Sequence, residues 1–130
     1  MIKKKLKERI DKRGSLFEIW KNVNKNNFTM QQAYCFTIES NKTRGNHYHK
    51  IKEEIFCCVQ GSVIMNLCNI KSGKKEKFIL SDKSITSVFV KKNIAHSITN
   101  KNKKKAIIVS LSSKVFNEKK PDTYLFNVSL

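Results

Sequence analysis

RGNHYHKIKEEIFCCVQG, residues 44–61, places two histidines two positions apart ahead of an apolar run and closes on a glycine. On a strand, neighbouring residues point to opposite faces and alternate residues share one. His47 and His49 therefore face the same way, while Cys57 and Cys58 face apart. Glu53 or Glu54, four or five residues beyond His49, can bring a carboxylate to the same place. Outward from this stretch the pattern repeats: LFEIW at 16–20, QAYCFTI at 32–38, SVIMNLCNI at 62–70, ITSVFV at 85–90, AIIVSLS at 106–112 and TYLFNV at 123–128. Short β-branched and aromatic runs broken by polar turns predict an all-β chain closed as a sandwich or barrel. Gly61 and Lys71-Ser72-Gly73-Lys74 leave almost no chain between runs, which predicts adjacent antiparallel strands at both places. Pro121, the single proline, stands just before the last run, where it removes no ladder hydrogen bond. The first dozen residues fit helix or strand. With no repeat or linker, residues 1–130 are expected to form one domain.

The formal charge is +17, from 27 basic and 10 acidic residues, a balance that raises nucleic acid or an anionic membrane as a partner. The distribution argues against both. Only Arg9, Arg13 and Arg44 are arginines, and the lysine runs at 3–5, 74–75, 91–92 and 103–105 fall between apolar segments rather than along one periodic face. They read as solvated surface, with a basic pocket for an anionic small molecule as the other possibility. Residues 1–30 contain no apolar core of signal-peptide length, and no stretch reaches the ~18 apolar residues of a membrane helix. A cytoplasmic protein is expected. Cys35, Cys57, Cys58 and Cys68 lie in apolar runs without metal-binding spacing and read as buried free thiols.

All three histidines fall in two places, His47 with His49 and, on a later run, His96. Imidazoles with a carboxylate from Glu54 suit a divalent transition metal such as zinc, nickel or iron, with coordination positions left for water or substrate. No organic cofactor is expected. The spacing from His47-x-His49 to Glu54 and Gly61 resembles the first cupin motif, and His96 with Asn100 resembles the second, although Lys91 and Asn93 stand where proline and glycine are usual. This resemblance implies a cupin jelly-roll barrel.

The stretch from Asp11 to Glu18 is similar to the D-x-R-G-x-x-x-E entry of the dTDP-4-dehydrorhamnose 3,5-epimerases, and Arg44 to Tyr48 to their RGLHY element. Glutamine is usual there at the place of His49. The GNHYHK stretch at 45–50 and Pro121-Asp122-Thr123 resemble the cupin domain of the capsular-polysaccharide bifunctional epimerase/reductases. Arg44 to Lys50 also matches the R-G-x-H-x-H-K element of the sugar-nucleotide 3,4-ketoisomerases. The likeness covers roughly residues 11–128. It implies an isomerase, either a 3-epimerase or a 3,4-ketoisomerase, acting on a dTDP- or UDP-linked 4-keto-6-deoxy sugar in surface polysaccharide synthesis. His47 would be the base, and Arg13 and Arg44 would bind the diphosphate with Glu18 beside them.

Such a ketone acidifies the neighbouring C–H, and a histidine that titrates near neutrality is suited to removing its proton. The enolate then needs a fixed positive partner, supplied by a metal on His47, His49, Glu54 and His96 or by a lysine. A metal-bound His47 cannot readily serve as base, so the catalytic candidates extend to His49 and Tyr34. Tyr48, by alternation, points away. For each Arg-Gly pair the diphosphate-binding reading is preferred over an ordinary turn with a solvated arginine. A second reading of the whole chain is a non-catalytic metal- or sugar-binding cupin module, and a metal-dependent dioxygenase comes last. Exposed sheet edges lead us to expect a homodimer.

Overall fold

Alternating burial along EIFCCV should leave one face of its strand bare, yet Glu54 through Cys58 are all buried. Packing explains it. The computed structural model describes residues 2–21 and 28–129, with the side chain of Ile2 excepted. In order, the strands are β1 (Ile2–Lys5), β2 (Arg9–Asp11), β3 (Gly14–Leu16), β4 (Gln32–Ile38), β5 (Lys42–Tyr48), β6 (Glu54–Gln60), β7 (Ser62–Asn69), β8 (Lys75–Ser81), β9 (Thr86–Val90), β10 (Ile94–Asn100), β11 (Ala106–Ser112) and β12 (Tyr124–Leu125). Two five-stranded antiparallel sheets, ordered β1-β9-β6-β11-β4 and β12-β5-β10-β7-β8, face one another as the all-β jelly-roll barrel the sequence predicts, and β2 pairs with β3 as a separate hairpin. No helix of the described residues is long and apolar enough to cross a membrane.

The main core lies between the sheets and includes Ile38, Phe56, Cys58, Met65, Leu80 and Ile108. The outer face of the first sheet is covered as well. Phe28, Ile55, Phe89 and Leu111 pack with Ile19 and Trp20, while Leu6, Cys57 and Ile85 pack with Phe17. Cys57 and Cys58 thus face opposite cores, and burial pushes their thiols up to about 12 and about 11, which keeps them protonated and inert. Cys35 departs from the buried-thiol expectation: it is exposed on the edge strand β4. The lysine runs are exposed, as expected.

Three runs fold differently from their reading. Gly61 does not close a hairpin; it turns the chain from β6 in one sheet to β7 in the other, at φ +89°. A Cβ there would lie 3.2 Å from the Ala106 Cα, and its N–H donates to Asp82 Oδ2 at 2.9 Å. A corner and a hairpin both need a tight left-handed residue, so sequence does not separate them. The Lys71–Lys74 turn does join paired strands, β7 and β8. Of 16–20 only Leu16 lies in a strand, because Phe17, Ile19 and Trp20 serve as cover, and of 123–128 only Tyr124 and Leu125 pair. The opening residues, left open between helix and strand, include β1.

The strand carrying His47 is irregular at one point. His96 on β10 pairs with His47, but Ser97 pairs with Gly45, so Asn46 is an extra residue and β5 is bulged there. Gly45 and Asn46 both have left-handed φ, +98° and +58°. A Cβ on Gly45 would stand 2.6 Å from the His96 carbonyl oxygen, so only glycine allows β5 to lie this close to β10. Gly45→Ala is expected to lower the unfolding free energy by about 3 kcal/mol through backbone strain and overpacking. Urea denaturation at unchanged slope would show it, and a loss below ~0.5 kcal/mol, the scale of ordinary surface substitutions, would refute this account of the bulge.

Candidate active site

Each inward-facing row of side chains changes character toward one end of the barrel. Ile38, Phe36 and Tyr34 follow one another up β4; Cys58, Phe56 and Glu54 do so on β6; and Ile98 gives way to His96 on β10. His47 and His49 complete the ring from β5 and the residue following it. An apolar floor of Phe36, Phe56 and Ile98 therefore lies beneath a polar rim assembled from both sheets. The cavity has two lobes that share Tyr34 and His47. One, about 300 Å³, adds Phe36, Arg44, Gly45, Phe56, His96 and Ile98. The other, about 330 Å³, adds Gln32, His49, Lys52, Glu54, Phe116 and Thr123.

The structure brings together all four residues read as metal ligands. Nitrogens of His47, His49 and His96 lie within 4.8 Å of one another. Glu54, only 2% exposed, sets its Oε1 2.9 Å from His49 Nε2 and 3.7 Å from His96 Nε2. The other ring nitrogens are committed: His49 Nδ1 donates to the Asp122 carbonyl at 2.5 Å and His96 Nδ1 to the Ile94 carbonyl at 3.1 Å. A carbonyl only accepts, so both Nδ1 atoms carry the hydrogen and both Nε2 atoms present lone pairs. His49 Nε2 and Glu54 Oε1 have no hydrogen-bond partner among the described residues, despite their proximity. Lone pairs and a carboxylate converging in a buried space require a proton or a cation between them. Burial pushes the His96 imidazole down, against the pull of Glu54. Two imidazoles and one carboxylate, with ring N–H groups anchored on backbone carbonyls, are a donor set that fits a divalent transition metal.

His47 differs from the other two. It is only half-buried, its ring makes no hydrogen bond among the described residues, and it lines both lobes. Burial, then the charges of His96 and His49, push it down to about 4, so it is a neutral base at neutral pH. Tyr34 donates its hydroxyl hydrogen to Glu54 Oε2. Burial, the Glu54 charge and that hydrogen bond push the phenol well above its usual range, and it stays protonated. Burial pushes the Glu54 carboxyl up; the Tyr34 hydroxyl, and His49 and His96 when they carry a proton, pull it down, and the balance lies below its usual value.

The choice between Glu53 and Glu54 is resolved by contacts. Glu53 accepts the Lys92 N–H and ties its own backbone to Ser113, away from the rim. Asn93 does the work of the usual glycine, at φ +65°, and donates its N–H to the His49 carbonyl at 2.7 Å. Asn100 is buried as a turn brace to Ile38, Asn102 and Lys104. Tyr48 turns outward to stack on Tyr124, as alternation predicts. Arg44 reaches the cavity, with Nε donating to the Thr37 carbonyl and its guanidinium 5.6 Å from the Phe36 ring. Arg13 and Glu18 do not line either lobe: the Arg13 side chain is 90% exposed and paired with Asp11, and Glu18 pairs with Arg9. Both sit by the β2–β3 hairpin, whose place in the fold their sequence spacing did not specify. Thr123, part of the Pro121-Asp122-Thr123 element, lines the cavity, as do Lys52, Gln32 and Phe116, which no spacing rule marks.

Residues 9–124 match the family model described as polysaccharide biosynthesis C-terminal domain. No curated protein sequence matches the chain. Among solved structures, capsular polysaccharide assembling protein CapF from Staphylococcus aureus is similar with a TM-score of 0.73 and 24% identity over 95% of this chain and 34% of that one. The rmlC epimerase of Mycobacterium tuberculosis gives 0.79 and 19%, over 91% and 65%. QdtA, a sugar 3,4-ketoisomerase from Thermoanaerobacterium thermosaccharolyticum solved in complex with TDP, gives 0.76 and 23%, over 95% and 85%. These likenesses establish a shared fold, and the chain spans about a third of the length of CapF.

The environment of His47 has a measurable consequence. A histidine that titrates near 6.5 in the unfolded chain and at about 4 in the folded one binds its proton preferentially when unfolded between those values. Stability is therefore expected to fall as pH drops from about 6.5 toward about 4, with His96 acting in the same sense. In thermal-unfolding scans across that interval, His47→Gln should flatten the slope; an unaltered slope would contradict the buried, neutral imidazole.

Proposed function

Because the chain belongs to the polysaccharide biosynthesis C-terminal domain family, we propose that it is an isomerase of nucleotide-linked keto sugars, acting as a 3-epimerase or 3,4-ketoisomerase on a dTDP- or UDP-4-keto-6-deoxy sugar. The observation that carries this reading is the division of labour among the histidines. His49 and His96 have fixed tautomers and turn toward Glu54, while His47 is neutral, untethered and open to both lobes.

In this reading the C3–H bond breaks, its proton passes to a His47 ring nitrogen and its electron pair moves into the ketone as an enolate. Returning a proton to C3 from the other face inverts that carbon. Transfer of the O3 proton to O4, with protonation at C4, moves the ketone to C3. Tyr34, held protonated beside Glu54, is the proton donor we assign. His49, His96 and Glu54 would hold a zinc, nickel or iron ion, with His47 available as a fourth donor if it gives up its role as base. When bound, such an ion supplies the positive charge that stabilises an enolate oxygen. Arg44, whose Nε is anchored on the Thr37 carbonyl and whose guanidinium lies 5.6 Å from the Phe36 ring at the cavity, is assigned to the diphosphate. The apolar floor sheds water from the reacting carbon. A fold shared with the rmlC epimerase and with QdtA is consistent with this assignment.

Proton NMR in deuterated buffer tests it. Deuterium is expected to wash into C3 of a dTDP- or UDP-4-keto-6-deoxy sugar, and His47→Gln should slow this by ~10²- to 10⁴-fold, the usual contribution of a general base. Exchange that survives a chelator assigns His47 as base rather than ligand. No exchange with either nucleotide sugar would overturn the enzyme and leave a binding module.

Tyr34→Phe separates acid from base. It should keep C3 exchange within about tenfold of wild type while slowing product formation by ~10²-fold or more, since the enolate forms but is reprotonated poorly. Equal loss of both would remove Tyr34 from the proton-donor role.

A further inference from the structure

Pro121-Asp122-Thr123 returns to the site from 70 to 73 positions beyond the residues it meets. The Asp122 carboxylate accepts three successive backbone N–H groups, Lys50 on Oδ1 and Ile51 and Lys52 on Oδ2, each at 2.9 Å. Its main-chain carbonyl takes the His49 Nδ1–H at 2.5 Å. One residue therefore holds both a ring and the turn that follows it. Successive N–H groups converging on a carboxylate form a charge-assisted cradle, and the same contact that seats the carboxylate aims the carbonyl at the imidazole.

Asp122 is itself held on both sides. Pro121, before it, has a fixed φ and no N–H. After it, Tyr124 pairs with Tyr48 across β12 and β5, their rings stack at 5.4 Å, and Lys50 Nζ lies 4.2 Å from the Tyr124 ring. We propose that Asp122 is a positioning residue that fixes His49 in its Nδ1–H form and points His49 Nε2 at Glu54, so that the C-terminal segment sets the affinity of the metal centre. The proposal rests on the metal reading given above. Without the carboxylate the 50–52 turn loses three partners, the carbonyl loses its aim, and an unconstrained imidazole populates both tautomers. Outer partners of metal-ligating histidines typically contribute 10- to 100-fold to metal affinity.

A residue that merely braced a turn would change melting temperature and nothing at the ring. The experiment is therefore two-fold, on the full chain. Long-range nitrogen–proton NMR reads the tautomers of His49 and His96 without metal, and competition with a chromophoric chelator reads zinc affinity. Wild type is expected to show Nδ1–H at both histidines. Asp122→Ala should mix the His49 tautomers, leave His96 unchanged and weaken zinc about 10- to 100-fold. Asp122→Asn, which keeps the carbonyl and a side-chain oxygen, should restore most of both. If Asp122→Ala does not fold, Asp122→Ser replaces it with a partial loss expected. A His49 ring that stays Nδ1–H, with wild-type zinc affinity, in the folded alanine or serine variant overturns the proposal. Zinc bound by neither wild type nor variant would sink the metal reading, while the tautomer comparison would still decide for or against Asp122.

Discussion

A carboxylate with 2% exposure, Glu54, governs how the open end of this barrel is built. An isolated buried charge of this kind costs several kcal/mol. The Tyr34 hydroxyl offsets part of that cost at one oxygen, and the other oxygen faces two imidazoles. Because His49 and His96 each give their Nδ1–H to a backbone carbonyl, the second oxygen meets lone pairs rather than hydrogens. That conflict disappears when a proton or a cation occupies the space, and the proposed metal reading takes the second course.

The same carboxylate links the two chemical halves of the site. It holds the tyrosine proton in place and raises the phenol's pKa, and it opposes the downward push of burial on His96. His47 lies close enough to feel these charges but makes no hydrogen bond to them, and so keeps a free lone pair. Its placement depends on the backbone: the bulge at Gly45 and Asn46 shifts β5 by one residue against β10 and sets His47 opposite His96. Asn46 also anchors the C-terminal tail, its carbonyl accepting the Phe126 N–H and its side-chain oxygen accepting the Val128 N–H and the Ser129 hydroxyl.

Much of the site depends on segments that cover or brace the sheets rather than on the sheets themselves. The centre of the first sheet is buried on both faces because Phe17, Ile19, Trp20 and Phe28 lie over its outer side. This is why its central strand reads as a continuous apolar run instead of an alternating one. At the rim, Asp122 on the returning tail and Asn93 in the turn before β10 both fasten His49. The rim therefore combines rigid strand positions, Tyr34, Glu54 and His96, with one histidine, His49, held from outside its strand.

The all-β class, the shared face of His47 and His49, the opposite orientations of Cys57 and Cys58 and the outward turn of Tyr48 all follow from two-residue periodicity, a local property of the backbone that sequence carries directly. The joining of His96 to that pair was also legible, because three histidines in two short stretches leave few other arrangements. Tertiary structure alone decided the rest. Whether Gly61 closes a hairpin or turns a corner, whether Glu53 or Glu54 faces inward, and whether Arg13 reaches the cavity as Arg44 does are settled by packing between segments distant in the chain. The same holds for Asp122, whose four hydrogen bonds join residues some seventy positions apart. No pattern of neighbours encodes such contacts, because they exist only once both sheets and the returning tail are in place.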